Sequence, residues 1–231
     1  MTTIAARLQA VRARIDAAAQ SARRPARDIR LVAVSKTFPA AAIVEAFRAG
    51  QVAFGENYLQ EAVEKMALCS DYAMEWHHIG PIQSNKTRQI AELFHWVHGV
   101  DRLKIAQRLA SSRPQHLPEL QVCIQVNVSG EASKGGVRPE QVLELAQAIS
   151  PLAGLRLRGL MAIPEPTADV DQQRSRFRQV RELKDHLERA GIGLDTLSMG
   201  MSDDLEAAVA EGATLVRVGR AIFGERARIP A

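Results

Sequence analysis

The chain has 231 residues, 46% hydrophobic and 24% charged, which is enough apolar material for a sizeable core and too little polarity for a disordered chain. Its net charge of +4 comes from basic and acidic residues that interleave along the sequence, and with two Trp and two Tyr there is no basic run threaded with aromatics, so a nucleic-acid partner is not expected. No apolar run approaches the roughly 20 residues of a membrane span. Cys69 and Cys123 lack CxxC spacing, which fits a reducing cytoplasm and excludes a disulfide scaffold.

The first segment, "MTTIAARLQAVRARIDAAAQ", is Arg-rich like a transit peptide, yet Ile4, Leu8, Val11 and Ile15 recur at helical spacing. A helix packed on the domain is the expectation. From residue 31 onward, short β-rich runs alternate with amphipathic ones. The expected strands are 31–35, 52–55, 75–80, 95–100, 120–128, 155–163, 194–200 and 214–219. The expected helices lie between them at 39–49, 57–68, 84–93, 101–111, 138–150, 169–190 and 203–211.

Strict β-then-α alternation demands parallel pairing, and about eight strands suffice to close a barrel and remove its edges. The expected class is therefore α/β: a single (β/α)8 TIM-type barrel domain over residues 1–231, with an extra N-terminal helix. A doubly wound open sheet satisfies the same alternation and remains the alternative.

In a barrel, function sits at the C-terminal ends of the strands. In "LVAVSKTFP" (31–39), alternation puts Val32, Val34 and Lys36 on one face, so an apolar face ends in an amine. The other ends bring Gly55 to Asn57, Met161, Ser198 to Ser202, and Arg217 to Arg220 toward the same mouth. "SMGMSDDLEAA" and "VRVGRAIFG" are Gly-bearing strand-to-helix turns of the kind that bind phosphate; each taken singly reads better as an ordinary capping turn, and it is the two together, facing a lysine, that point to an anion. A strand-end lysine ordinarily snorkels to water. Partly desolvated beside arginines, it would instead lose its proton more readily, and a neutral amine near an anion site suggests an imine with a phosphorylated aldehyde such as pyridoxal phosphate. His77 and His78 are adjacent on a strand and point to opposite faces, as do His95 and His98, so neither pair chelates a metal and none is expected.

These motifs, "LVAVSK", "GENYLQE" (55–61), "EWHHIGPIQSNK" (75–86), "RLRGLMAIP" (156–164), "LSMGMSDDLEAA" (197–208) and "VRVGRAIFG" (216–224), closely resemble the pyridoxal phosphate homeostasis protein family, small cytoplasmic proteins related to the N-terminal barrel of alanine racemase. The resemblance implies that Lys36 carries the cofactor as an internal aldimine. It places Asn57 and Met161 beside the ring, Ser198, Gly200, Ser202 and Gly219 in the phosphate turns, and Arg217 on the last strand facing the pyridine nitrogen. An always-charged Arg there disfavours protonation of the nitrogen and weakens the ring as an electron sink. A core Arg paired with a barrel acid such as Glu56 is the structural alternative. "SGEASKGGV" (129–137) matches a Lys-Gly loop of the family. One position departs from its pattern: after Gly219 the family usually has Thr or Ser, and here stands Arg220, also assigned to the cofactor site.

Three functions compete at this stage: a protein that binds pyridoxal phosphate and takes part in vitamin B6 and amino-acid homeostasis, a pyridoxal-phosphate-dependent amino-acid racemase, and a Schiff-base aldolase with Glu56 as acid/base. A racemase needs an acid/base group on each face of the cofactor, and the racemases resembling this barrel draw the opposing tyrosine from a second domain, whereas here about a dozen residues follow the last strand. Tyr58 and Tyr72 have no evident reason to fill that place. The expectation is cofactor binding without catalysis, in a cytoplasmic monomer that meets amino acids and pyridoxal-phosphate enzymes only transiently.

Overall fold

The hydroxyl of Thr3 starts the first helix by accepting the Ala6 N–H at 3.1 Å, and α1 then runs over Ile4–Ser21. A computed structural model describes residues 3–130 and 135–225 of the chain. Ile4, Leu8, Val11, Ile15, Ala18 and Ala19 form the buried stripe of α1, at the spacing the sequence shows, and the larger of these side chains each contribute about 1.5 to 3 kcal/mol of gross burial energy. The helix lies across the last two helices of the barrel and the first, not ahead of it as a free arm.

Eight strands follow: β1 (Arg30–Val34), β2 (Ala53–Glu56), β3 (Glu75–His78), β4 (Trp96–Val100), β5 (Leu120–Gln125), β6 (Leu155–Met161), β7 (Thr196–Ser198) and β8 (Leu215–Val218). Helices α2 (Ala40–Arg48), α3 (Leu59–Leu68), α4 (Thr87–Leu93), α5 (Leu103–Ser112), α6 (Val142–Ile149), α7 (Val170–Arg189), α8 (Leu205–Ala210) and α9 (Arg220–Phe223) alternate with them. Every neighbouring pair is parallel and β8 pairs back onto β1, from Arg30 opposite Leu215 to Ala33 opposite Val218, so the sheet is a closed barrel and the open doubly wound alternative is ruled out. Six expected strands prove shorter, β7 most of all, which keeps only Thr196–Ser198 of the expected 194–200. Beyond Gln125 the chain leaves the ladder, with only a bridge from Val126 to Val137, and β6 stops at Met161, ahead of the Pro-containing stretch that starts at Pro164. Of the expected loop at 129–137, residues 131–134 lie outside the described residues.

Alternation sorts the strands into two layers. Val32, Ala53, Trp96, Cys123, Met161 and Leu215 fill the barrel, while Ala33, Phe54, Val97, Val122, Leu160 and Val216 face the helices. Burial drives the Cys123 thiol up to about 12, so it is an inert packing group. His78 packs edge-on against Phe94, and His95 accepts the Trp76 N–H through Nδ1 at 3.0 Å, both outside the barrel wall.

Glu211, which follows α8, is 1% exposed and receives Arg174 at 2.9 Å, Arg178 at 3.2 Å and Arg181 at 2.8 Å, all from α7. These charge-assisted bonds hold its carboxyl below the ordinary range and bind α7 to α8. Glu211→Ala removes the shared acceptor, and urea unfolding should show a loss of about 2 kcal/mol with an unchanged slope. A loss within experimental scatter would mean that the half-exposed arginines are equally well served by water.

Candidate functional site

At the C-terminal mouth, a cavity of about 300 Å³ is lined by Lys36, Asn57, Ser202, Arg217, Gly219 and Arg220, with Val34 and Ile79 among its apolar walls. Six of the nine site residues expected from the sequence thus meet on one space. Val32, Val34 and Lys36 do share a face: Val32 fills the barrel, Val34 lines the cavity and Lys36 stands in the turn above.

That turn is clamped from behind. Thr37 has φ 68°, a left-handed conformation unusual for a branched residue, and its N–H donates to Glu61 Oε1 at 2.5 Å. Ser35 Oγ donates to Glu56 Oε1 at 2.6 Å, and Lys65 Nζ reaches the Ser35 carbonyl at 2.7 Å, Glu56 at 2.8 Å and Glu61 at 2.5 Å. Glu56 is fully buried and its carboxyl is raised by desolvation, against the pull of Lys65 and Ser35. A Cβ on Gly55 would touch Val32 and Ile79, so Gly55 faces inward and Glu56 faces α3. This corrects two sequence-based alternatives: Glu56 is neither the partner of Arg217 nor an acid/base group on the cavity, because strand parity turns it outward.

Arg217, 3% exposed, is anchored instead by Ser198 Oγ at 2.6 Å and the Ala162 carbonyl at 3.0 Å. Desolvation pulls its guanidinium down to about 10, with Asp204 and the Cys123 thiol acting against it. Among the described residues no carboxylate forms an ion pair with it, so the cavity floor keeps a positive charge. Asn57 Oδ1 is buried without a hydrogen-bond partner in the described structure, leaving an acceptor at the wall.

The two turns differ. Gly219 sits so close to β1 that a Cβ would lie 3.1 Å from the Val34 carbonyl oxygen, which keeps the chain open beside the cavity. Ser202 lines the cavity, and its carbonyl is held by Arg14 of α1 at 3.0 Å, while Asp204 accepts the Met201 N–H at 2.5 Å. Arg220 directs its guanidinium to Asp203 at 2.8 Å on the exposed rim.

Three expected site residues lie elsewhere. Met161 is fully buried in the interior layer under the cavity, and Ser198 is enclosed beside Arg217. Gly200 has φ 94°, and a Cβ there would come within 2.5 Å of Ala208 Cβ, so it serves the approach of α8. Sequence reasoning brought Met201 to the mouth and Asp203 to the turn beside it without naming either as a site residue; both line the cavity and also a neighbouring groove of about 740 Å³ between the β6–α7 and β7–α8 loops. Both stand in the quoted turn, and the fold sets that turn over the mouth.

A barrel whose mouth brings together a lysine, a buried arginine and Gly/Ser turns belongs to a recognisable class, and residues 6–227 match the model of the family described as alanine racemase, N-terminal domain. A pyridoxal phosphate homeostasis protein of Pseudomonas aeruginosa is 62% identical over 98% of this chain and 97% of its own. PipY of Synechococcus elongatus PCC7942, solved with PLP bound, is 37% identical with a TM-score of 0.85, covering 96% of this chain and 100% of that one. Alanine racemase of Clostridium difficile 630 shares the fold alone, at 15% identity and a TM-score of 0.71 over 88% of this chain and 53% of that one. The chain belongs to the pyridoxal phosphate homeostasis protein family, within the class of alanine racemase N-terminal barrels. Among the described residues no helix is long and apolar enough to cross a membrane, and no group of three or more metal-ligating side chains occurs.

The clamp behind Lys36 is testable by unfolding. Lys65→Met strands a buried carboxylate, which should cost about 3 kcal/mol near neutral pH, and adding Glu56→Gln should recover most of it. Additive losses in the double variant would show that the two groups do not act as a pair.

Proposed function

We propose that this protein binds pyridoxal 5'-phosphate at the barrel mouth, covalently through Lys36, and holds it as part of cofactor and amino-acid homeostasis without turning over a substrate. The observation that carries the reading is the convergence of Lys36 and the un-ion-paired Arg217 on one cavity. Pyridoxal phosphate supplies an aldehyde that condenses reversibly with a primary amine, and a dianionic phosphate. The residues suit both ends. Lys36 offers the amine, the turns at Ser202 and Gly219 offer backbone and hydroxyl groups to the phosphate, and the positive floor favours an anionic ligand. Asn57 Oδ1, an acceptor in want of a donor, suits a ring hydroxyl.

In this reading Arg217 meets the ring nitrogen. A guanidinium that keeps its proton at neutral pH cannot accept a hydrogen bond, so it disfavours a protonated nitrogen and with it the electron sink that amino-acid chemistry requires. Support for the lack of turnover also comes from the tyrosines. Tyr58 is 57% exposed at the start of α3, Tyr72 packs on Phe47, and neither lines the cavity. Met161 and Ser198 act from beneath the ligand in this account, and Gly200 by shaping the turn. We also take the protein as a cytoplasmic monomer that meets pyridoxal-phosphate enzymes transiently. The closed sheet, which offers no strand edge, and the unlinked buried Cys69 and Cys123 support this.

Borohydride treatment of the loaded protein should fix the cofactor on the peptide containing Lys36, read as a mass increase, and Lys36→Ala should fold normally and gain none there. An equal adduct in that variant would remove Lys36 from its role. Incubated with amino acids in deuterium oxide, the loaded protein should exchange the Cα hydrogen negligibly; rapid uptake into both enantiomers would make the racemase reading the better one. Arg220 lines the cavity while one nitrogen is held by Asp203, so Arg220→Ala should weaken binding at low salt by about tenfold or less and flatten its salt dependence. Unchanged affinity at both salt concentrations would leave the phosphate to the turns alone.

A further inference from the structure

Inside the barrel, beneath the cavity, a file of polar side chains leads from Arg217 to the opposite mouth. Arg217 Nη1 meets Ser198 Oγ at 2.6 Å, Ser198 Oγ meets His98 Nδ1 at 2.7 Å, His98 Nε2 meets His77 Nδ1 at 2.9 Å, and His77 Nε2 meets Glu75 Oε1 at 2.7 Å. Arg30 closes the file on Glu75 at 2.7 Å. Ser198, His77 and His98 are fully buried, and His77 stacks flat on Trp96 at 5.5 Å.

The chemistry of the two ends dictates where every proton lies. Arginine can only donate, and an ionised carboxylate can only accept. Against desolvation, the His77 N–H and then Arg30 hold the Glu75 carboxyl well below its ordinary range, and desolvation keeps both imidazoles neutral, with one donor and one acceptor nitrogen each. His77 must therefore carry its proton on Nε2, which leaves Nδ1 to accept from His98 Nε2–H. His98 Nδ1 in turn accepts the Ser198 hydroxyl, and the Ser198 oxygen accepts from Arg217. All four bonds run the same way, from cavity to base, so each polarises the next and the carboxylate charge strengthens Ser198 as an acceptor.

We infer that Ser198, His98, His77 and Glu75 are positioning residues that lock and polarise Arg217 at the cavity floor, making the ligand site sensitive to a carboxylate at the far end of the barrel. This deepens the functional reading above and rests on it only for the identity of the ligand. It reassigns Ser198, which the family resemblance placed in a phosphate turn, to the anchoring of the arginine. The file orients and does not conduct: Arg217 releases its proton only near 10, whereas Glu75 stays ionised far into acid, so the proton remains on the arginine.

Nitrogen-15 NMR on the ligand-free protein tests the arrangement directly. Both His77 and His98 should be protonated on Nε2 and bare on Nδ1, without titrating between pH 6 and 8, and the Arg217 Nη1 proton should be shifted downfield. An Nδ1 proton on either histidine, or titration of either, overturns the inference. Pyridoxal 5'-phosphate titrations then read the consequence. Ser198→Ala, nearly isosteric, should bind about tenfold more weakly with a displaced visible absorption band, and Ser198→Thr should restore both. Glu75→Gln keeps an acceptor but not the charge, and should move the band in the same direction by a smaller amount. Ser198→Ala with unchanged affinity and spectrum overturns the positioning role even if the tautomers are as stated. Failure of the wild type to bind pyridoxal 5'-phosphate would defeat the functional reading, while the histidine tautomers and the Arg217 shift would still decide the file itself.

Discussion

A guanidinium enclosed in a parallel barrel is the constraint around which this molecule is arranged. Burying an unpaired charge is among the most costly things a fold can do, and Arg217 is 3% exposed. Its hydrogen bonds go to neutral oxygens, on Ser198 and Ala162, and Asp204 and the Cys123 thiol offset its desolvation only in part. A core that carries such a residue is less stable than an apolar one of equal volume. What it obtains is a fixed positive floor under a cavity whose apolar walls include Val34, Ile79, Ile163 and Met201, where a lowered local dielectric strengthens that charge.

Closure of the barrel places the charge where it acts. β8 pairs with β1 so that Arg217 lies opposite Val32, below Val34, where the strand ends, and below the turn that carries Lys36. The lysine turn depends on a separate polar device on the other side of the wall, Glu56 with Lys65 and Glu61, which holds Thr37 in its left-handed conformation. Helix α1 joins in through Arg14, which grips both the Ser202 carbonyl and Glu206. Amine, arginine and turn are thus each secured from outside the cavity, which leaves the cavity to the ligand.

Much of this was legible in the sequence because β parity and helical period are local signals. The run ending in Lys36, the stripe Ile4, Leu8, Val11 and Ile15, and the Gly-bearing turns after β7 and β8 all follow from residues within one element. What stayed hidden depends on register between elements. Parity separates His77 from His78 and His95 from His98 without saying which pair faces inward; that His77 and His98 share the interior and touch follows from the register that sets His77 opposite Trp96. Ser198 is 100 residues from His98 and reads in sequence as part of a turn. Glu56 looked like a cavity acid because it ends a strand, though counting from the inward Gly55 puts it outside. Arg220 departs from the family pattern, and of the two neighbouring acids, Asp203 and Asp204, the fold pairs it with Asp203.

The account stands or falls on where pyridoxal 5'-phosphate sits. A crystal structure of the protein grown with the cofactor measures this most directly. The account predicts density continuous with Lys36 Nζ, a ring over Arg217 and a phosphate at the turns of Ser202 and Gly219, with Ser198 still bonded to the arginine. Cofactor bound at another lysine, or a mouth that stays empty at saturating concentration, would contradict it.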